Sequence, residues 1–172
     1  MEKAINEQVL RHLESNKLIH DRQYGFRQHR STGDILAYVT HIWNKTLEAG
    51  KETLAVALDI SKAFDMVWHK NLLAKLISVG LEPKLCKLFE SFLSDRSIKV
   101  VVDGIASSSF HTNAGVPQGS VISPTFFLIY INDLLYLPSN QVHCYADDST
   151  LHNAPASHKD RIDTASSINL DL

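Results

Sequence analysis

The chain has 172 residues, 44% of them hydrophobic and 21% charged, which is enough to bury the core of one globular domain. Its formal net charge of −2 argues against autonomous, tight binding to nucleic acid, for which a basic excess is typical. No apolar run is long enough to cross a membrane, and Cys86 and Cys144 lack zinc-site spacing. Without a secretory signal pattern, we expect an intracellular protein, nuclear or cytoplasmic.

The first third of the chain predicts two helices. Apolar residues at helical spacing predict the first over residues 4–16. Ser31 and Asp34 form the hydroxyl–acid pair that typically starts a helix, and Gly50 is a natural stop. The second helix therefore runs between them, with an apolar stripe that indicates a structural role.

The segment between these helices is rich in arginine and aromatic residues. Arg27 and Arg30 stand close to Tyr24 and Phe26. Such a segment could hold phosphates of a nucleic acid, with the rings stacking on bases. The alternative is an ordinary polar loop whose rings pack into the core, and the residues alone do not decide between the two.

A strand is predicted next, followed by the first carboxylate of interest. Residues 54–58 form a near-continuous apolar run, which is typical of a strand covered on both faces. Asp59 follows directly, where a carboxylate is costly unless it is paired or binds a metal. The alternative is that Asp59 caps a following helix.

The middle of the chain predicts scaffold elements. Residues 69–79 and 83–94 have the amphipathic spacing of two helices. A hairpin is predicted from residues 97–102 and 105–112, because Asp103-Gly104 between them is a strong two-residue turn signal.

A shaped loop and a buried helix come after this hairpin. The loop, residues 115–124, contains two glycines and two prolines, and the helix predicted over residues 125–135 is almost wholly apolar. A glycine-bearing loop before a helix allows the backbone to approach a ligand closely. The alternative is a structural turn that needs its glycines.

Two adjacent carboxylates, Asp147 and Asp148, lie between the β-prone runs 141–145 and 149–151, which predicts a hairpin with an acidic tip. Neighbouring like charges require solvent or a hard divalent cation to offset their repulsion. A solvated turn explains an isolated pair. With Asp59 on a neighbouring strand, three carboxylates would come within reach of one or two shared Mg²⁺ ions.

Four segments in this order resemble the motifs of reverse transcriptases, and in particular those of the jockey-like group of non-LTR retrotransposons. They are QYGFR at residues 23–27 with the following Ser31-Thr32, LDISKAFD at 58–65, GVPQGSVISP at 115–124 and YADD at 145–148. The resemblance implies an α+β fold: a palm-type antiparallel sheet with helices packed on one face and partial fingers. It further implies a fingers and palm lead-in over about residues 1–50, a palm over 51–155, a truncated helix over 156–172, and no thumb.

The resemblance also implies roles for individual residues. Metal binding is assigned to Asp59, Asp147 and Asp148 and to the backbone carbonyl of Ile60. Nucleotide binding is assigned to Phe64, which would lie under the incoming sugar, and to Gln118 and Gly119. Contacts with primer or template are assigned to Tyr145, Arg27 and Arg30. Asp65 receives no role beyond a cap or an ion pair.

The implied activity is RNA-directed DNA synthesis. Two Mg²⁺ ions, with Mn²⁺ as a possible substitute, would assist the transfer of dNTPs to the 3′-hydroxyl of a DNA primer on an RNA template. The first alternative is an inactive remnant that keeps the palm fold and at most weak nucleic-acid binding. The second is an aspartate-based Mg²⁺ phosphohydrolase, which the Asp-Gly hairpin between the acidic strands disfavours.

Overall fold

The computed structural model describes residues 1–136, 141–154, 160 and 162–163. The helices and strands follow one another along the chain in the order α1 (Glu2–Ser15), α2 (Thr32–Glu48), β1 (Leu54–Leu58), α3 (His69–Ser78), α4 (Pro83–Leu93), β2 (Ser97–Ile98), β3 (Val101–Val102), β4 (Ile105–Ala106), β5 (Phe110–His111), α5 (Ser123–Ile131), a 3₁₀ helix (Asn132–Tyr136), β6 (Gln141–Tyr145) and β7 (Asp148–Asn153). The helix predicted over residues 156–172 falls largely outside the described residues. Within the described part, none of the helices combines the length and the apolar character that a membrane span requires.

The chain divides into two compact units, each built from two separate segments. The first unit contains Met1–Leu18 and Lys62–Tyr130, and the second contains Ile19–Ser61 and Ile131–Leu172.

A three-stranded antiparallel sheet forms the centre of the second unit. Its strand order is β1-β7-β6, so β7 is the middle strand. Val56 pairs with Leu151, and Leu151 pairs with Val142 on the other side. Together with the helices, this sheet confirms the predicted α+β class.

Strand β1 differs from the prediction, because only one of its faces is covered. Its larger residues, Leu54, Val56 and Leu58, pack against a core cluster that includes Val142 and Leu151. Ala55 and Ala57 alternate with them and are exposed. The prediction was wrong because an apolar run does not show whether another element covers its second face.

Helix α2 begins as predicted. The Ser31 hydroxyl accepts a hydrogen bond from the Asp34 amide, and the Asp34 carboxylate accepts one from the Ser31 amide. These bonds satisfy two amides that the helix itself cannot pair. The apolar stripe is only partly buried, since Val39 is buried whereas Leu36 and Leu47 are exposed.

The first unit packs its helices around α5. Phe126 and Phe127 are among its fully buried residues, and the Phe126 ring meets that of Phe89 edge to face at 4.8 Å between centroids. The predicted buried helix is therefore confirmed, although α5 ends at Ile131 and continues as a 3₁₀ helix.

The predicted Asp103-Gly104 hairpin is present, but its arms are interrupted. Asp103 and Gly104 both have positive φ, 49° and 80°, as a primed hairpin turn requires. Each arm is split into two short strands, so that β3 pairs with β4 and β2 pairs with β5. The interruption lies where the Val100 amide donates to the Ser107 hydroxyl at 3.0 Å instead of to a carbonyl.

Candidate functional site

The acidic tip lies at the tight end of the β6–β7 hairpin. Tyr145 pairs with Asp148, which leaves Ala146 and Asp147 as the two turn residues. Ala146 has a φ of 59°, the left-handed conformation that such a turn needs. Asp148 is exposed and Asp147 is half-buried. The predicted acidic hairpin is confirmed.

Asp59 comes to the same end of the sheet. Leu58, the last residue of β1, pairs with Ser149 of β7, so the next position of the ladder aligns Asp59 with Asp148. The prediction that Asp59 and the acidic turn lie on neighbouring strands is confirmed. Residues 61–66 form turns and not a helix, so the capping alternative for Asp59 has no helix to cap.

The three carboxylates provide the right chemistry for a hard cation, but their side chains are not gathered around one point. In the described part of the chain, no group of three His, Cys, Asp or Glu side chains is arranged to hold a metal ion. Asp59 and Asp148 are both exposed, so water can screen the repulsion between their charges. Carboxylate oxygens with the nearby Ile60 carbonyl are the donor set that Mg²⁺ or Mn²⁺ prefers.

The two arginines proposed to meet nucleic acid are engaged by the chain itself. Arg27 donates to the carbonyl oxygens of His20 and Gln23 at 2.9 and 3.1 Å. Arg30 donates to the Asp21 carbonyl oxygen, and its guanidinium lies over the Tyr24 ring at 5.0 Å. These contacts favour the polar-loop alternative for this segment.

Two buried histidines lie on the strands that flank the acidic turn, His143 on β6 and His152 on β7. The rings of His143 and His152 stack with centroids 5.0 Å apart, and His143 is only 1% exposed. Burial, followed by the proximity of His152 and of Arg22, lowers the pKa of His143 to about 4. Burial also lowers the pKa of His152. Both rings are therefore neutral at pH 7.

The residues expected to bind the nucleotide lie in the first unit. Gln118 and Gly119 are exposed on the loop before α5, and Phe64 is half-buried, with its ring stacked on Phe127 at 4.8 Å. The Gln118 amide donates to the Asp65 carboxylate at 3.2 Å. Asp65, for which the sequence offered no functional signal, therefore holds Gln118.

The Gly115–Gln118 part of this loop lines an open cleft. The cleft has a volume of about 510 Å³ and is also lined by Lys62, Asp65 and Arg96. Two cationic side chains beside an amide suit a ligand that carries negative charge.

Backbone contacts and helix α1 fix the shape of this loop. Val116 donates to the Phe64 carbonyl oxygen at 2.8 Å, and a side chain at Gly115 would crowd the Asp65 backbone. Glu2 accepts hydrogen bonds from the Ser120 hydroxyl and the Ile122 amide, and the bond from Ser120 is the main reason that the pKa of Glu2 is lowered. Nothing in the pattern of α1 indicated this contact.

The family model described as "Reverse transcriptase (RNA-dependent DNA polymerase)" matches residues 1–167. The chain belongs to the reverse transcriptase family.

Relatives of this chain include proteins from mobile elements of Drosophila. It is 38% identical over 134 residues to the RNA-directed DNA polymerase from mobile element jockey of Drosophila funebris, covering 78% of this chain and 14% of that protein. It is 35% identical over 159 residues to the jockey polymerase of Drosophila melanogaster, covering 88% and 17%. The chain thus spans less than a fifth of the length of these relatives.

Solved structures show the same fold at lower identity. A telomerase from Candida tropicalis, in complex with a fragment of telomeric RNA, superposes with a TM-score of 0.67 at 14% identity, covering 96% of this chain and 29% of that one. An apo telomerase from the same organism gives a TM-score of 0.63 at 16% identity, covering 98% and 36%. This chain therefore has a polymerase palm-type fold.

Proposed function

We propose that this chain is the palm, with part of the fingers, of an RNA-directed DNA polymerase encoded by a non-LTR mobile element. It would extend the 3′-hydroxyl of a DNA primer with dNTPs on an RNA template, in the nucleus or the cytoplasm. The observation that carries the proposal is the strand register, which aligns Asp59 with Asp148 at the acidic turn. The descriptions of the jockey relatives agree with it.

In this proposal Asp59, Asp147, Asp148 and the Ile60 carbonyl hold divalent cations, Mg²⁺ or Mn²⁺. Two such cations, when bound, stabilise charge on the attacking and the leaving oxygen of a phosphoryl transfer. The chain contributes the position of the carboxylates, which the hairpin and β1 bring to one end of the sheet. The exposure of Asp59 and Asp148 allows water to remain on the cation, as Mg²⁺ requires.

The nucleotide would be bound by residues of the first unit. Lys62 and Arg96 offer positive charge to the triphosphate, and Gln118, held by Asp65, offers an amide to the nucleotide or the template base. Gly119 would allow close approach of the backbone. Phe64 would exclude a 2′-hydroxyl, which selects deoxynucleotides. Tyr145, next to the acidic turn, would lie near the primer terminus.

A second candidate is a folded remnant without activity. It is favoured by the side-chain arrangement, since no group of three His, Cys, Asp or Glu side chains could hold a metal ion in the described part of the chain. In this alternative the palm fold persists and nucleic-acid binding is weak at most.

Primer extension on an RNA template, with Mg²⁺ or Mn²⁺, separates the two candidates. We expect extension by the wild-type chain and a loss of at least about 100-fold in Asp147→Asn. The matched control is Asp103→Asn, which removes one carboxylate from another hairpin turn and keeps that turn, because Asn-Gly suits it as well as Asp-Gly. Extension that persists in Asp147→Asn, or no extension together with no divalent-cation uptake by the wild type, would contradict the proposed polymerase.

A further inference from the structure

The segment of residues 22–25 is hydrogen-bonded to β6 and to the acidic turn. Tyr24 donates through its amide to the Cys144 carbonyl oxygen at 2.8 Å, and the Cys144 amide donates to the Arg22 carbonyl oxygen at 2.9 Å. These two bonds form a short parallel bridge between Gln23 and β6. The bridge places the Gln23 side chain beside the turn.

The Gln23 amide group binds both polar backbone atoms of Ala146. Its Oε1 accepts hydrogen bonds from the Ala146 amide at 3.1 Å and from the Gly25 amide at 3.0 Å. Its Nε2 donates to the Ala146 carbonyl oxygen at 3.2 Å. The side chain is 1% exposed, so these bonds are protected from water.

These bonds fix the two peptide planes on either side of Ala146. The Ala146 amide belongs to the peptide that follows Tyr145, and its carbonyl belongs to the peptide that leads to Asp147. Ala146 has a φ of 59°, a left-handed conformation that is energetically unfavourable for a residue with a side chain. The turn therefore depends on support from outside itself.

Gly25 completes this support. A Cβ at position 25 would overlap the backbone nitrogen of Ala146. Only glycine allows the segment to approach the turn closely enough for the Gln23 bonds to form.

We infer that Gln23 is a positioning residue that sets the direction in which the turn presents the Asp147 carboxylate. The inference rests on the proposed function, in which Asp147 holds a divalent cation. Gln23 itself touches no cation; it acts by holding the backbone of the residue before Asp147. Residues that orient metal ligands in this way typically affect metal affinity about 10- to 100-fold.

The test is a titration of the folded chain with Mn²⁺, followed by electron paramagnetic resonance, without primer, template or nucleotide. Gln23→Met has a similar length but removes all three bonds, and we expect its dissociation constant for Mn²⁺ to rise at least about tenfold. Gln23→Glu keeps an acceptor for the two amides, so it should recover most of the lost affinity. Gln28→Met, at an exposed glutamine of the same segment, is the matched control and should bind as the wild type does.

A merely structural role for Gln23 would lower the free energy of unfolding and leave the Mn²⁺ affinity of the folded chain unchanged. Folding is therefore checked by circular dichroism at the titration temperature. A folded Gln23→Met that binds Mn²⁺ within twofold of the wild type overturns the inference. Should Gln23→Met not fold, Gln23→Glu carries the test: weakening of two- to fivefold supports the inference and an unchanged dissociation constant overturns it.

Failure of the proposed function gives a different result. In that case the wild type takes up no Mn²⁺ at this site, or Asp147→Asn binds it as tightly as the wild type. Binding that is lost in Asp147→Asn but retained in Gln23→Met contradicts the positioning role of Gln23 alone.

Discussion

The buried imidazole of His143 makes the stability of this sheet depend on pH. Its ring packs between His152 and Tyr38, with centroid distances of 5.0 Å to each. Neither ring nitrogen has a hydrogen-bond partner among the described residues. A proton on this ring would place a charge in an apolar environment beside a second histidine, and for that reason its pKa is about 4.

The pH dependence of stability follows from this pKa. As pH falls below 6.5, the unfolded chain takes up a proton at residue 143, whereas the folded chain does so only near pH 4. Above pH 6.5 the neutral ring of His143 contributes fully to the free energy of unfolding. This contribution, up to about 3 kcal/mol, is lost as the pH falls from 6.5 to about 4. We expect His143→Phe to flatten this decline in urea titrations between pH 7 and 4.

His41→Phe, at an exposed position of α2, is the control and should keep the wild-type decline. If His143→Phe declines as steeply as the wild type, the ring of His143 is not the group responsible.

The positions of some single residues could be predicted from the sequence, and the roles of others could not. The position of the three aspartates at one end of the sheet could be predicted, because carboxylates directly beside β-prone runs are a local signal. Gln23 and Asp65 could not be found from the residues, since their importance lies in partners 123 and 53 positions away, at Ala146 and Gln118. A polar residue such as Gln23 is expected at the surface, and only the fold shows that it is buried.

At the level of elements, turn and cap chemistry was the most predictable part of the chain. The Asp103-Gly104 turn, the α2 start at Ser31 and the end of α3 before Gly80 all depend on local geometry that a few residues determine. The one-sided burial of β1 was not predictable from its apolar composition. It depends on which elements cover each face of the sheet, and this is a tertiary property.

The Ser31 cap gives a prediction for helix α2. Ser31→Ala removes the hydroxyl that pairs with the Asp34 amide, at a cost of about 1 kcal/mol to the helix. We expect hydrogen exchange of the α2 amides to speed up roughly fivefold in consequence. Thr32→Ala, at the neighbouring exposed hydroxyl, is the control and should leave exchange nearly unchanged. Equal effects of the two substitutions would show that the capping bonds contribute little.

Segments of the two compact units alternate along the chain. The chain leaves the first unit after Leu18, returns to it at Lys62, and leaves it again after Tyr130. The first unit is therefore complete in residues 1–130, whereas the second still lacks β6 and β7 at that point.

Truncation tests this organisation. In a chain of residues 1–130 we expect the amides of α3 and α4 to remain protected from hydrogen exchange, and those of β1 to lose protection, because β7 is the only strand paired with β1 among the described residues. A chain of residues 1–154 retains all seven described strands and is the control. Protected β1 amides in the shorter chain would show that β1 has a partner other than β7.

The pairing of β1 with β7 also bears on synthesis. The backbone hydrogen bonds between Leu58 and β7 cannot form until Ser149 has been synthesised, 149 − 58 = 91 residues later. At about 5–20 residues per second, a ribosome takes roughly 5 to 20 s to cover that interval. During those seconds the nascent β1 has unpaired edges, so a chaperone that shields short apolar strands would raise the yield of folded protein.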